Sequence, residues 1–171
     1  KPAEESVFDQ GRPDITKPPA KTEAQIEAEN KAFAETKAKA EAGNALAQFN
    51  LGARYDKGQG VGQDFKEAFK WWQKAADQGY AGAQYNLGLM YAKGLGVERD
   101  FKEALKWWQK AAEQGNAEAQ SNLGVYYYTG QGGEQDFKEA FKWYQKAADQ
   151  GDAGAQTSLG FMYATGPGVE Q

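Results

Sequence analysis

Apolar residues between positions 65 and 77 recur at helical spacing: Phe65, Ala68, Trp72, Ala75 and Ala76, with Trp71 one step round. That spacing draws one broad apolar face, wide enough for a helix held between two neighbours. The run then repeats. "KEAFKWWQKAADQG" at Lys66–Gly79 returns as "KEALKWWQKAAEQG" at Lys102–Gly115 and "KEAFKWYQKAADQG" at Lys138–Gly151. A second helical pattern precedes each run. It opens Ala47-Gln48-x-Asn50-Leu51-Gly52, then Ala83-Gln84-x-Asn86-Leu87-Gly88, Ala119-Gln120-x-Asn122-Leu123-Gly124 and Ala155-Gln156-x-Ser158-Leu159-Gly160. An aromatic follows each time, at Tyr55, Tyr91, Tyr127 and Tyr163. The period is 36 residues. Repeats of that length form a stack in which neighbours complete each other's core, so the expected fold is an all-α solenoid of helix-turn-helix units.

Punctuation supports the helix pairs. Gly94 stands just past the first helix of its unit, where a left-handed residue ends a helix without a Cβ penalty. The loop "GLGV" follows, and Val97 is expected to tuck under the corner. Asp100 then caps the second helix, with Glu103 as the reciprocal half of a capping box; Asp64/Glu67 and Asp136/Glu139 repeat the device. Gly79, Gly115 and Gly151 end the second helices. Upstream, Thr22-x-x-Gln25 resembles a capping box for a helix reaching about Ala42, with Pro19 as an alternative first-turn residue. Phe33 and Ala40 fall one period before Phe69 and Ala76, so Lys31–Gly43 reads as a degenerate second helix. The expected organisation is a Pro-rich extended arm at 1–20, an N-terminal helix at 21–43, and repeats at 44–79, 80–115, 116–151 and, truncated, 152–171.

Composition narrows the chemistry. The net charge of −4 offers no basic field for nucleic acid, and no apolar run is long enough for a membrane span. The chain has neither cysteine nor histidine, which removes thiolate nucleophiles and the commonest general base. No cofactor or metal is expected. "DKGQGVGQDFKE" at Asp56–Glu67 has an acid at each end like a calcium loop, but Gly58 and Gly60 stand at ligand positions and Val61 replaces the required glycine. A hydrolytic enzyme is a remote alternative, since nothing gathers two carboxylates in a pocket.

The pattern Ala83…Leu87-Gly88…Tyr91…Gly94-x-Gly96-Val97…Asp100…Glu103-Ala104…Trp107…Lys110-Ala111-Ala112…Gly115 resembles the Sel-one-like repeat (SLR), a relative of the tetratricopeptide repeat. The resemblance covers three units and half of a fourth. It implies a right-handed superhelix whose first helices line a concave groove, and a protein-binding scaffold in place of an enzyme. By analogy with tetratricopeptide units, the groove positions are Phe49, Ala53 and Asp56; Tyr85, Leu89 and Ala92; Ser121, Val125 and Tyr128; Thr157, Phe161 and Ala164. They vary from unit to unit while the framework does not. The expected partner is a segment of another protein. Two other readings stay open: these side chains pack against adjacent second helices, or the arm at 1–20 lies in a groove of its own or a neighbouring molecule.

The rival function is a regulatory or inhibitory subunit, for example one neutralising a toxin, whose arm makes the main contact. Self-association through the arm or the C-terminal end is also possible. The non-Met start and the Pro-rich arm point to export, with a cut boundary as the other explanation. The resemblance implies a bacterial setting, periplasmic or secreted, and a cytoplasmic one stays open. Asn50, Asn86 and Asn122 are expected to tie neighbouring units, with contact to a bound peptide backbone as the alternative. Two departures from the pattern carry expectations. Gly133 replaces the valine of the other corners, so that corner should lose its apolar anchor. The chain stops at "GPGVEQ", before the next Asp cap, which suggests that the native protein continues and that Phe161 and Met162 are exposed.

Overall fold

The computed structural model describes residues 20–168, and among them all regular structure is helical. Helix α1 (Glu23–Glu41) leads four first helices, α2 (Ala45–Lys57), α4 (Ala81–Lys93), α6 (Ala117–Thr129) and α8 (Ala153–Thr165). Second helices α3 (Phe65–Asp77), α5 (Phe101–Glu113) and α7 (Phe137–Asp149) alternate with them. Each helix packs on the one before and the one after it, and α6 also touches α8. The architecture is an all-α repeat solenoid. Apart from Ala20, the arm expected at 1–20 lies outside the described residues, as do 169–171.

The core is shared between units. Ala68, Trp72, Ala75 and Ala76 of α3 meet Ala83, Leu87 and Met90 of α4 and Trp107 of α5. The same arrangement recurs around Trp108 and Trp143, and around Tyr144 with Leu159 and Met162. Small alanines let helices approach, and the rings fill what remains. Truncating one such buried indole to alanine costs about 3–5 kcal/mol. Each first helix carries a matching notch. A methyl group on Gly52, Gly88 or Gly124 would overlap the ring of Trp72, Trp108 or Tyr144 in the same unit. The Trp72 indole N–H donates to the Phe49 carbonyl at 3.0 Å, whereas that of Trp108 has no partner among the described residues.

Loops set the stacking. Gly96 holds φ at 68°, and a Cβ there would overlap the Phe65 carbonyl of the preceding unit. Gly60 and Gly168 make the same close approach to the carbonyls of Glu29 and Phe137, and Gly132 makes one to the Phe101 Cβ. Only glycine combines that backbone angle with that proximity.

Three details differ from the sequence expectation. The Thr22–Gln25 capping box of α1 forms fully and the helix begins at Glu23, but the boxes of α3, α5 and α7 are only half made. Asp100 accepts from the amides of Lys102 and Glu103, yet its own N–H already donates to the Tyr91 carbonyl at 2.9 Å. The same bond occupies Asp64 and Asp136, so the glutamates turn elsewhere: Glu67 accepts from the Trp71 indole at 3.2 Å. The Gly133 corner is not left empty. Tyr126 stands where Met90 stands in the unit before, is buried, and covers Gly133 with its phenol. Finally, Phe161 is exposed (55 %) but Met162 is fully buried, and Tyr163 is exposed instead (60 %). Met162 follows Leu159 by three residues and shares its inward face.

Candidate functional site

The face presented by α2, α4, α6 and α8 carries the side chains that vary between units. On α2, Phe49 lies across Gly82 of the next unit with its ring 4.9 Å from that of Tyr80. Ala53 is half-buried against the core, and Asp56 sits on the last turn. On α4, Tyr85 is half-buried and lies beside Asn122 of α6. Burial pushes its phenol above the usual tyrosine value, the Glu118 carboxylate adds to this, and the Asn122 amide opposes it. Leu89 and Ala92 back onto the core that α5 of their own unit shares with the following unit. On α6, the Ser121 hydroxyl donates to Asp152 at 3.2 Å, Val125 is 44 % exposed, and Tyr128 stands edge-on to Phe161 of α8 at 6.5 Å. On α8, Thr157 donates to the Ala153 carbonyl at 2.9 Å, and Thr157, Phe161 and Ala164 are exposed.

The expected positions thus fall into four inter-unit contacts: Phe49 with Tyr80, Tyr85 with Asn122, Ser121 with Asp152, and Tyr128 with Phe161. Ala53, Leu89 and Ala92 serve the core as well. The structure adds two residues. Tyr80 occupies the N-cap place held by Asn44, Asn116 and Asp152 elsewhere, makes no side-chain cap, and stacks on Phe49. Its departure from the Asn/Asp pattern is the signal in the sequence. Leu46 is exposed one turn before Asn50.

Glutamines supply the buried hydrogen-bonded ties between units, and of the asparagines Asn122 lies beside Tyr85 of the unit before. Buried Gln48, Gln84 and Gln120 donate to the carbonyls of Ala40, Ala76 and Ala112 at 3.2, 3.3 and 3.1 Å. Each also accepts from the glutamine that ends the second helix of its own unit, Gln78, Gln114 or Gln150, at 2.7 Å. Satisfied amides of this kind lock register, because a lost partner leaves a buried polar group unpaired. Asn50 stays exposed, and Asn86 and Asn122 are half-buried on the variable face.

Two cavities open beside these residues. One of about 360 Å³ lies between α1 and α2, lined by Thr36, Lys39, Leu46, Asn50 and Arg54 among others. The other, of about 270 Å³, is lined by Tyr128, Tyr144, Thr157, Ser158 and Phe161. On the second helices, Lys74, Lys110 and Lys146 sit 4.4, 4.4 and 4.3 Å from the ring centres of Trp71, Trp107 and Trp143, covering indoles from solvent. The variable face offers rings, amides and hydroxyls, groups suited to binding. Among the described residues no helix is long and apolar enough to cross a membrane, and no group of three or more carboxylates could hold a metal ion.

The family model described as "Sel1 repeat" matches residues 45–80, 81–116, 117–152 and 153–171. A protective antigen of uropathogenic Escherichia coli displaying an SLR fold is 44 % identical, with a TM-score of 0.78. The match covers 80 % of this chain and 29 % of that one. A Sel1 repeat protein from Oxalobacter formigenes is 40 % identical over 82 % of this chain and 41 % of its own, with a TM-score of 0.77. This chain therefore spans less than half the length of either. Cysteine-rich protein B of Helicobacter pylori, 22 % identical, shares the fold at a TM-score of 0.62 over 78 % of this chain and 96 % of that one. No curated protein matches. With four consecutive units matched from residue 45 onward, the chain belongs to the Sel1 repeat family.

Proposed function

We propose that the face built by α2, α4, α6 and α8 is a groove for a segment of another protein, and that the chain works as a non-enzymatic interaction scaffold. Sel1 repeat proteins generally mediate protein–protein interaction, and this chain carries four matched units. One observation supports the reading above the others. Positions that hold the stack together repeat between units, while Phe49, Tyr85, Ser121 and Thr157, or Ala53, Leu89, Val125 and Phe161, differ at equivalent places on one face. Side chains relieved of stacking are free to serve a ligand, and several here are aromatic, the residue class enriched at binding hot spots. The likeness to a protective antigen supports an exported setting in a bacterium, which fractionation of the source cells checks.

Affinity capture with the intact protein, followed by mass spectrometry, identifies the partner. Ser121→Arg combined with Val125→Arg then places two long cations in the middle of the face, away from the 270 Å³ cavity. Capture is expected to fall at least tenfold with helical content unchanged. Undiminished capture would falsify the groove.

A further inference from the structure

We propose that the cavity between α6, α7 and α8 is an anchor subsite that takes one aromatic side chain of the bound segment. This rests on the groove reading and adds what its C-terminal end recognises. The argument is a comparison inside the chain. Trp72, Trp108 and Tyr144 hold equivalent places, each lying on the glycine of its own first helix. In the two earlier units the ring is a two-ring indole; in the third it is a single-ring phenol. One position of the following unit changes in the same direction, from asparagine to serine. Tyr85 with Asn86, and Ser121 with Asn122, are succeeded by Thr157 with Ser158. A smaller ring opposite Ser158, which is smaller than Asn86 and Asn122, leaves room, and the cavity of about 270 Å³ lies there.

Its walls define the occupant. Tyr128 presents its ring edge-on to Phe161 at 6.5 Å and to Phe137 at 5.3 Å. Aromatic rings add to such a cluster by edge-to-face or offset contact, which a branched aliphatic chain cannot make. The hydroxyls of Thr157 and Ser158 are each donated to a carbonyl of α8 at 2.9 Å. Their remaining lone pairs face a partner's indole N–H or phenol O–H. The volume lies just under the roughly 300–1,000 Å³ typical of small-molecule pockets, which suits one side chain and not a larger ligand.

The probe is N-acetyltryptophanamide, titrated into the intact protein and followed by two-dimensional amide NMR. Saturable shifts are expected at Thr157, Ser158 and Phe161, with N-acetylleucinamide at equal concentration giving at least fivefold smaller ones. Tyr144→Trp restores the ring found in the two earlier units, so it fills the cavity and should abolish the shifts without loss of helicity. Phe161→Ala removes a wall that is already exposed and should weaken binding at least threefold. The inference is overturned if the wild type shows no saturable shifts, if the leucine probe matches the tryptophan one, or if Tyr144→Trp still binds. Should Tyr144→Trp not fold, unchanged affinity in Phe161→Ala overturns it instead. Absence of this site alongside capture that is lost in the Ser121/Val125 double variant means a groove without this anchor. The reverse pattern sinks the groove reading.

Discussion

The second helices α3, α5 and α7 read FKEAFKWWQKAAD, FKEALKWWQKAAE and FKEAFKWYQKAAD, differing at three of thirteen places. The first helices α2, α4, α6 and α8 read ALAQFNLGARYDK, AGAQYNLGLMYAK, AEAQSNLGVYYYT and AGAQTSLGFMYAT, and keep only Ala, Ala, Gln, Leu, Gly and Tyr in common. Both kinds of helix stand in the same stack, yet one is nearly constant and the other half free. The cause is geometric. A second helix packs on the first helix of its own unit and on that of the next, while its lysines shield the indole edges, so nearly every position has a fixed neighbour. A first helix puts its alanine, glutamine, leucine and glycine into the stack, with Met90, Tyr126 or Met162 beside them, and turns most of the rest toward the open face. Constancy marks the load of packing here, and variation outside the buried Met90, Tyr126 and Met162 marks the face proposed for a ligand.

The widest separation between the two should appear with Trp108→Ala against Val125→Ala. The indole is buried between units, and its loss is expected to cost about 3–5 kcal/mol. Val125 is 44 % exposed, and its truncation should stay within about 0.5 kcal/mol. Urea unfolding followed by circular dichroism measures both. Equal losses would mean that the variable face is also core, the competing reading of those positions.

A smaller effect tests whether variation inside the stack is compensated. Gly133→Val alone puts a side chain about 2.9 Å from the Tyr126 hydroxyl and should cost about 1–3 kcal/mol by overpacking. Adding Tyr126→Met recreates the Met90/Val97 pair of the preceding unit and should recover most of that loss. Strict additivity in this double-mutant cycle would break the claim that the two changes belong together.

Much of this was legible from the chain alone, because stacking demands the same side-chain sizes at each period. Helix order, the left-handed glycine caps and the aspartate N-caps all follow from residues whose local chemistry decides their role. What escaped were choices between side chains within one helix. Gln48 and Asn50 are both amides, but Gln48 shares the face of Leu51 and Gly52, so it enters the stack and Asn50 does not. The same periodicity places Met162 with Leu159, inward, and leaves Tyr163 outside. The half-made capping boxes were not readable locally at all. The N–H of Asp64 is taken by the Tyr55 carbonyl across the loop, a bond that exists only once the corner has closed. The cavity beside Tyr144 left a trace as the one break in the Trp-Trp pairs, but its size depends on how α8 sits against α6.

Tyr80→Asn should move stability least and separates packing from binding most sharply. Asn44 and Asn116 cap their helices by accepting from the amides of Ala47 and Ala119 at 2.8 and 2.7 Å, and α4 alone among the first helices has no such bond. Installing it should add about 1 kcal/mol. Removing the phenol deletes its contact with Phe49, an aromatic pair worth about 0.5–1.5 kcal/mol. The two nearly cancel, so the melting temperature should shift by no more than about 4 °C in either direction. Binding has no such compensation. If the Phe49–Tyr80 pair forms part of the groove wall, the variant loses affinity for the captured partner while unfolding like the wild type. A clear gain in stability with full affinity would show instead that Tyr80 serves neither the stack nor the ligand, and would confine the binding face to α6 and α8.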